Sequence, residues 1–190
     1  KEIHDLSLSL VAVRFGKAQI KTSLVEIEGA DESRVAGQKL ATALNDDSLR
    51  GALLLSDGLR ANGSALIEGF NAQINNADVS VSGGLAGDGN HFKRTWVLHG
   101  DRAQVGLIVA IGFYGESLHI SHGTKGGWDK FGVERIVTKS SGNVVYEIDN
   151  RPALELYKEY LGDKAAELPA SGLLFPLQIR QNPQDDRPLV

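Results

Sequence analysis

The chain has 190 residues, 42% hydrophobic and 23% charged, with a formal net charge of −4. This composition can bury a sizeable core and argues against a general nucleic-acid surface. No apolar run reaches the ~18 residues of a spanning helix, and the absence of cysteine removes disulfides, thiolate nucleophiles and cysteine metal sites together.

Methionine is absent too, and the chain opens with Lys1. A natural start carries Met, so the sequence reads as a fragment or a processed product. No secretory signal pattern is visible.

The first apolar stretch, Leu6 to Phe15, alternates and then becomes apolar on both faces, which predicts a strand. Gly16-Lys17 supplies a tight turn, and Ala18 to Ile27 completes a hairpin. Asp31 to Leu44 reads as a helix capped by Asp31, with Val35, Ala36, Leu40, Ala43 and Leu44 as its apolar stripe. Gly37 counts against that helix by roughly 1 kcal/mol relative to Ala. Gly51 to Ser56 predicts a strand buried on both faces, and Asn62 or Ser64 opens a helix carrying Leu66, Ile67, Phe70 and Ile74. Val79 to Gly83 is the next strand, so a βαβ unit is expected. Its two following loops, Asp57-Gly58 and Gly83 to Gly89, then share the sheet edge where open α/β sheets bind ligands.

Three further strands are predicted at Arg94 to His99, Gln104 to Phe113 and Glu116 to His122, as an antiparallel meander. A glycine-rich loop with Trp128 spans residues 122 to 132. Val133 to Lys139 and Val144 to Ile148 predict a hairpin. Pro152 opens a helix that Gly162 ends, with Ala153, Leu156, Tyr157 and Tyr160 on its apolar face. The expected class is therefore α/β or α+β, a mixed sheet with helices packed on it. Residues 10–23 and 108–121 align without gaps, which adds an expected internal repeat.

Candidate chemistry concentrates in VSGGLAGDG, residues 81–89. Glycines can free backbone amides to face an anion, but the spacing matches neither a P-loop nor a dinucleotide fingerprint, and a strand follows where a helix would be needed. The bland alternative is a wide connection packed on the core. Asp57 and Asp88 admit three roles: an acid–base pair, a clamp on a ligand ammonium, or caps on local backbone amides. Trp128 is either an exposed binding wall or a buried lid anchor. The five histidines suggest no metal site. His119 and His122 sit three apart on a predicted strand and so face opposite sides, while His4, His91 and His99 stand apart. A single axial histidine for heme is the one remaining iron chemistry. No serine lies in a nucleophile elbow.

Three stretches carry a family resemblance: Asp57-Gly58 with its following helix, VSGGLAGDG at 81–89, and VTKSSGNVVYEIDNRPALELYKEYLG at 137–162. They resemble the FIST family, the F-box and intracellular signal transduction proteins, over nearly the whole chain. In that family a Gly-Cys-Ser-type loop precedes the first hairpin, and this chain begins after that point. The resemblance implies that residues 1–150 are the later part of the N-terminal FIST domain and 151–190 the beginning of the C-terminal one. It further implies a cytoplasmic, non-enzymatic sensory module that binds a small ligand, amino acids being one class. Such modules accompany bacterial kinases, chemoreceptors and cyclic-di-GMP enzymes, and an F-box in eukaryotes. A signalling output domain or partner protein is therefore expected, and some bacterial members imply a heme-linked gas sensor. The ligand site expected is Asp57, Gly58, Gly83, Gly84, Ala86, Gly87, Asp88 and Trp128, with no metal and no resident cofactor. A protein-binding scaffold without a small ligand is the rival reading.

Overall fold

The computed structural model describes residues 7–76, 78–123, 129, 132–180 and 182. The chain forms two compact units, Lys1–Ala86 with Trp96–Gly123, and Gly87–Thr95 with Thr124–Val190.

The first unit holds a four-stranded mixed sheet. Strand β1 (Gln19–Glu26) leads through a 3-10 turn (Ala30–Glu32) into helix α1 (Ser33–Leu44). Strand β2 (Leu49–Asp57), helix α2 (Gly63–Asn71) and strand β3 (Ser80–Ala86) form the expected βαβ unit, with β2 and β3 parallel in a register from Gly51↔Ser80 to Asp57↔Ala86. A short hairpin, β4 (Val97–His99) with β5 (Arg102–Gln104), then leads into β6 (Leu107–Tyr114). The order is β1-β6-β2-β3, with β6 antiparallel to both neighbours. Seated between two strands, β6 is apolar almost throughout, as a central strand must be.

Both helices lie on one face of this sheet. Ala36, Leu40, Ala41 and Leu44 of α1 join Leu66 and Phe70 of α2 over Ala52, Leu54, Ile108 and Ala110. Of the two expected helix starts, Asn62 and Ser64, it is Asn62 that caps α2, its side chain accepting from the Ala65 amide at 3.1 Å. Asp31 does not cap α1. It lies in the preceding 3-10 turn, Glu32 takes the N-cap position, and the Glu32 carboxylate reaches back to accept from the Glu28 amide at 3.2 Å. Gly37 turns out to be where the helices touch. A Cβ there would sit 2.1 Å from the Leu66 carbonyl oxygen, and one on Gly69 would sit 2.0 Å from that of Arg34. On the opposite face, Val97 covers Leu107, Val109 and Ile111.

Three further expectations fail in this unit. Residues 7–15 form no strand, so the first hairpin is absent in this structure, and among the described residues β1 pairs with β6 alone. Residues 116–122 are also not a strand, and the meander gives way to β6 threaded between β1 and β2. The internal repeat therefore has no structural counterpart: within the aligned stretches, the second copy's strand is 108–114, while the first copy's begins only at Gln19. Apolar alternation marks a strand-like segment but does not name its partner.

In the second unit, β7 (Val137–Ser141) and β8 (Val144–Ile148) form the predicted hairpin, extended by β9 (Arg151–Pro152). Asp149 and Asn150 link β8 to β9 with φ of 50° and 60°, the paired left-handed conformation of a tight hairpin turn. Arg135 Nη1 donates to Asp149 Oδ2 at 2.8 Å, and Asp149 Oδ1 accepts from the Ile136 amide at 3.0 Å. Helix α3 (Ala153–Leu161) starts after Pro152 and ends at Gly162, burying Ala153 and Leu156 against Ile148.

Candidate functional site

The parallel register brings Asp57 opposite Ala86, so the ends of β2 and β3 share one edge of the first unit. Gly83 and Gly84 pair with Leu54 and Leu55 and belong to strand β3, not to a loop. Two of these glycines answer a steric demand. A Cβ on Gly83 would lie 2.0 Å from the Leu54 carbonyl oxygen, and one on Gly58 would lie 2.0 Å from that of Ala86. At Gly84 and Gly87 a Cβ would meet nothing within 4 Å.

Asp57 is fully buried. Its Oδ1 accepts from the amides of Leu59 at 2.8 Å and Arg60 at 3.0 Å, and its Oδ2 from Gly106 at 2.8 Å. The Gly106 carbonyl in turn accepts from the Ile27 amide at 2.8 Å. One carboxylate thus fastens the end of β2 to the turn before β6, and through it to the end of β1. Burying a carboxylate is costly unless strong donors compensate, and three amides do so here.

Asp88 plays the matching part in the second unit. Its Oδ1 accepts from the Phe92 amide at 3.0 Å, and its Oδ2 from Lys93 at 2.8 Å and Arg94 at 3.0 Å. The His91 ring Nδ1 lies 2.9 Å from the Asp88 carbonyl oxygen. Gly89 and Phe92 both have positive φ, 66° and 50°, and the carboxylate holds together the loop that contains them. The Arg94 amide, then those of Lys93 and Phe92, hold the Asp88 carboxyl below its ordinary 3.8, against a smaller opposing effect of burial. With the folded value lowered, the stabilisation it gives is present above 3.8 and is lost as pH falls through the folded value. The Asp88 carboxyl carbon is accordingly expected to titrate below 3.8 by NMR; a midpoint at or above that value would contradict the loop geometry. Asp57 and Asp88 belong to different units, and Trp128 lies outside the described residues.

The first unit also carries an open cleft of about 450 Å³ at the opposite end of β2. It is lined by Asp47 and Arg50, by Asn76 and Asp78 before β3, and by Glu116, Leu118, His119 and Ile120 after β6. The antiparallel pairing of β2 with β6 assembles it: Leu49 lies opposite Tyr114, and the Gly115 amide donates to the Ser48 carbonyl at 3.0 Å. Arg50 Nη1 donates to the carbonyls of Asp47 at 2.9 Å and Leu49 at 3.0 Å, which fixes the guanidinium at the rim. Nearby, His122 Nδ1 and Ser80 Oγ are 3.1 Å apart.

A family model described as FIST N domain matches residues 1–151. The chain belongs to the FIST family. Neither a curated protein nor a solved structure matches it significantly. FIST domains are a family of signal-transduction sensory domains. Among the described residues, no helix is long and apolar enough to cross a membrane.

The charged cleft of this FIST domain escaped the sequence reading because no local motif marks it. Its residues come from the start of β2 and from three separate connections. They meet only because β6 runs antiparallel to β2, and the sequence reading paired β6 elsewhere. His119, expected on a strand, lies in the connection after β6 and lines the cleft.

Proposed function

We propose that this FIST domain is the non-enzymatic input of a cytoplasmic signalling protein and binds a small zwitterionic ligand, amino acids first. The cleft around Arg50 is the proposed site. The observation that carries the reading is its mixed charge: the lining combines the fixed Arg50 guanidinium and His119 with the carboxylates of Asp47, Asp78 and Glu116. A guanidinium fork suits a ligand carboxylate, and the acidic side chains suit its ammonium. The cleft is open and its lining mainly polar, so charged side chains and not enclosure would hold the ligand.

The strand-end edge of Asp57, Gly58, Gly83, Gly84 and Ala86 in the first unit is one competing location, and the Gly87-Asp88 loop of the second unit is another. The Asp57 and Asp88 carboxylates already accept backbone amides there, which favours a bracing part for both. Ligand occupancy would then bias an output domain or partner protein between two arrangements.

A thermal-shift panel of amino acids, small carboxylates and heme tests the reading, since binding to the native state raises Tm by mass action. An amino acid is expected to stabilise the chain. Arg50→Ala is expected to weaken its binding by at least about tenfold, or ~1.4 kcal/mol, while Asp88→Asn leaves it in place. Loss of binding in Asp88→Asn but not in Arg50→Ala would move the site to the glycine edge. A heme absorbance band would replace the reading with a gas sensor. A protein-interaction scaffold is the second reading, supported by the exposed apolar side chains of Leu8, Leu10, Val11, Val13 and Leu98; silence across the panel would favour it.

A further inference from the structure

Residues 8–15, LSLVAVRF, are the most exposed apolar stretch among the described residues. Leu8 is 91% exposed, Leu10 87%, Val11 83% and Val13 64%. Large apolar side chains grouped like this on a surface mark a contact surface. Beside them lies an unused template. β1 is an edge strand, with β6 on its inner side and no described strand on its outer side, and its Ile20 and Leu24 are 45% and 43% exposed.

We propose that residues 8–15 are a strap that closes onto the outer edge of β1 as a fifth strand of the sheet. A two-residue turn at Gly16-Lys17 fixes the register. It sets Val13 opposite Ile20 and Val11 opposite Thr22 on one face, with Ala12 opposite Lys21, Leu10 opposite Ser23 and Leu8 opposite Val25 on the other.

Each face gains from this register. On the first, Val11 and Val13 cover the exposed flank of Ile20 and approach Leu24. On the second, Leu8 and Leu10 extend the core edge where Val25 packs. One contact of the closed form already exists. Ile20 pairs with Phe113, so Phe113 shares the Ile20 face, and the Phe15 ring meets the Phe113 ring at 5.8 Å. The strap is thus anchored at its C-terminal end on the face that the register assigns to Phe15.

Gly16 is the hinge. A tight hairpin turn with glycine at its first central position needs positive φ there. Gly16 is outside the positive-φ region in this structure, and nothing lies within 4 Å of where its Cβ would be. Glycine can cross to the left-handed region without steric penalty, so Gly16 can supply the turn that closure needs.

The absence of native cysteine makes the test clean. Ala12→Cys with Lys21→Cys places the pair directly opposite in the closed register. Ala12→Cys with Thr22→Cys is shifted by one residue onto opposite faces. All three positions are exposed, so both variants should fold. Under mild oxidation, the first pair is expected to form an intramolecular disulfide at least about tenfold faster than the second, because bridging demands close and convergent Cβ atoms. Adding Gly16→Val to the first pair should bring its rate down to that of the second. Equal rates for the two pairs would overturn the strap. So would disulfides forming mainly between chains, which would give the β1 edge to a second copy. A rate unaffected by Gly16→Val would overturn the hinge.

Discussion

Asp57→Ala is expected to be among the most destabilising single substitutions in the first unit, costing about 4–5 kcal/mol, and Asp57→Asn about 3 kcal/mol. The alanine leaves the amides of Leu59, Arg60 and Gly106 without their acceptor in a buried place. The asparagine keeps the shape but turns one acceptor into a donor. If its carbonyl oxygen stays with Leu59 and Arg60, its NH₂ faces the N–H of Gly106. Flipping the amide only moves the conflict to the other two donors. Because Gly106 also bonds Ile27, the loss should loosen the ends of β1, β2 and β6 together. Urea unfolding checks this, read as a lower midpoint at unchanged slope. A cost below about 1 kcal/mol together with lost ligand binding would show that the carboxylate serves a ligand and not the backbone.

Gly37→Ala and Gly69→Ala are each expected to cost about 2–3 kcal/mol, the scale of overpacking in a core. Helix propensity alone predicts the opposite sign, a gain of roughly 1 kcal/mol for alanine. Contact decides it. The new methyl carbon at either position would lie 2.0 or 2.1 Å from a backbone carbonyl oxygen of the other helix. Backbone cannot swing aside as a flexible side chain can, so the helices must separate over Leu66 and Phe70. The two substitutions address one crossing, so the double variant should cost less than the sum. Stabilisation by either alanine would mean that the helices do not meet there.

These residues show what the sequence could and could not convey. The βαβ unit was legible because its signals are local: Asn62 at a helix start, and short apolar runs with turn residues behind them. The second hairpin and α3 were legible for the same reason, through the two apolar runs at 133–139 and 144–148 and through Pro152 and Gly162. Strand partners were not. Residues 7–15 and β6 carry similar apolar patterns, yet one is exposed and the other is the most buried strand of the sheet. That difference depends on neighbours far along the chain. Gly37 was read as a weakness of its helix because its counterpart, Gly69, lies beyond an intervening strand. The glycines of VSGGLAGDG drew the eye to a ligand loop, whereas Gly83 is required by close passage of β2. The bracing alternative for Asp57 and Asp88 was available from the sequence, since an aspartate before a glycine commonly holds a turn. The Arg50 cleft was not available, because it exists only once β6 lies against β2.

The most direct test of the account is an amide NMR titration of the chain with a pooled amino-acid mixture. The account predicts shifts grouped at 47–50, 76–80 and 116–120, with the amides of Leu59, Arg60, Phe92, Lys93 and Arg94 unmoved. Shifts grouped at 57–58 and 83–94 with a silent Arg50 cleft would contradict it.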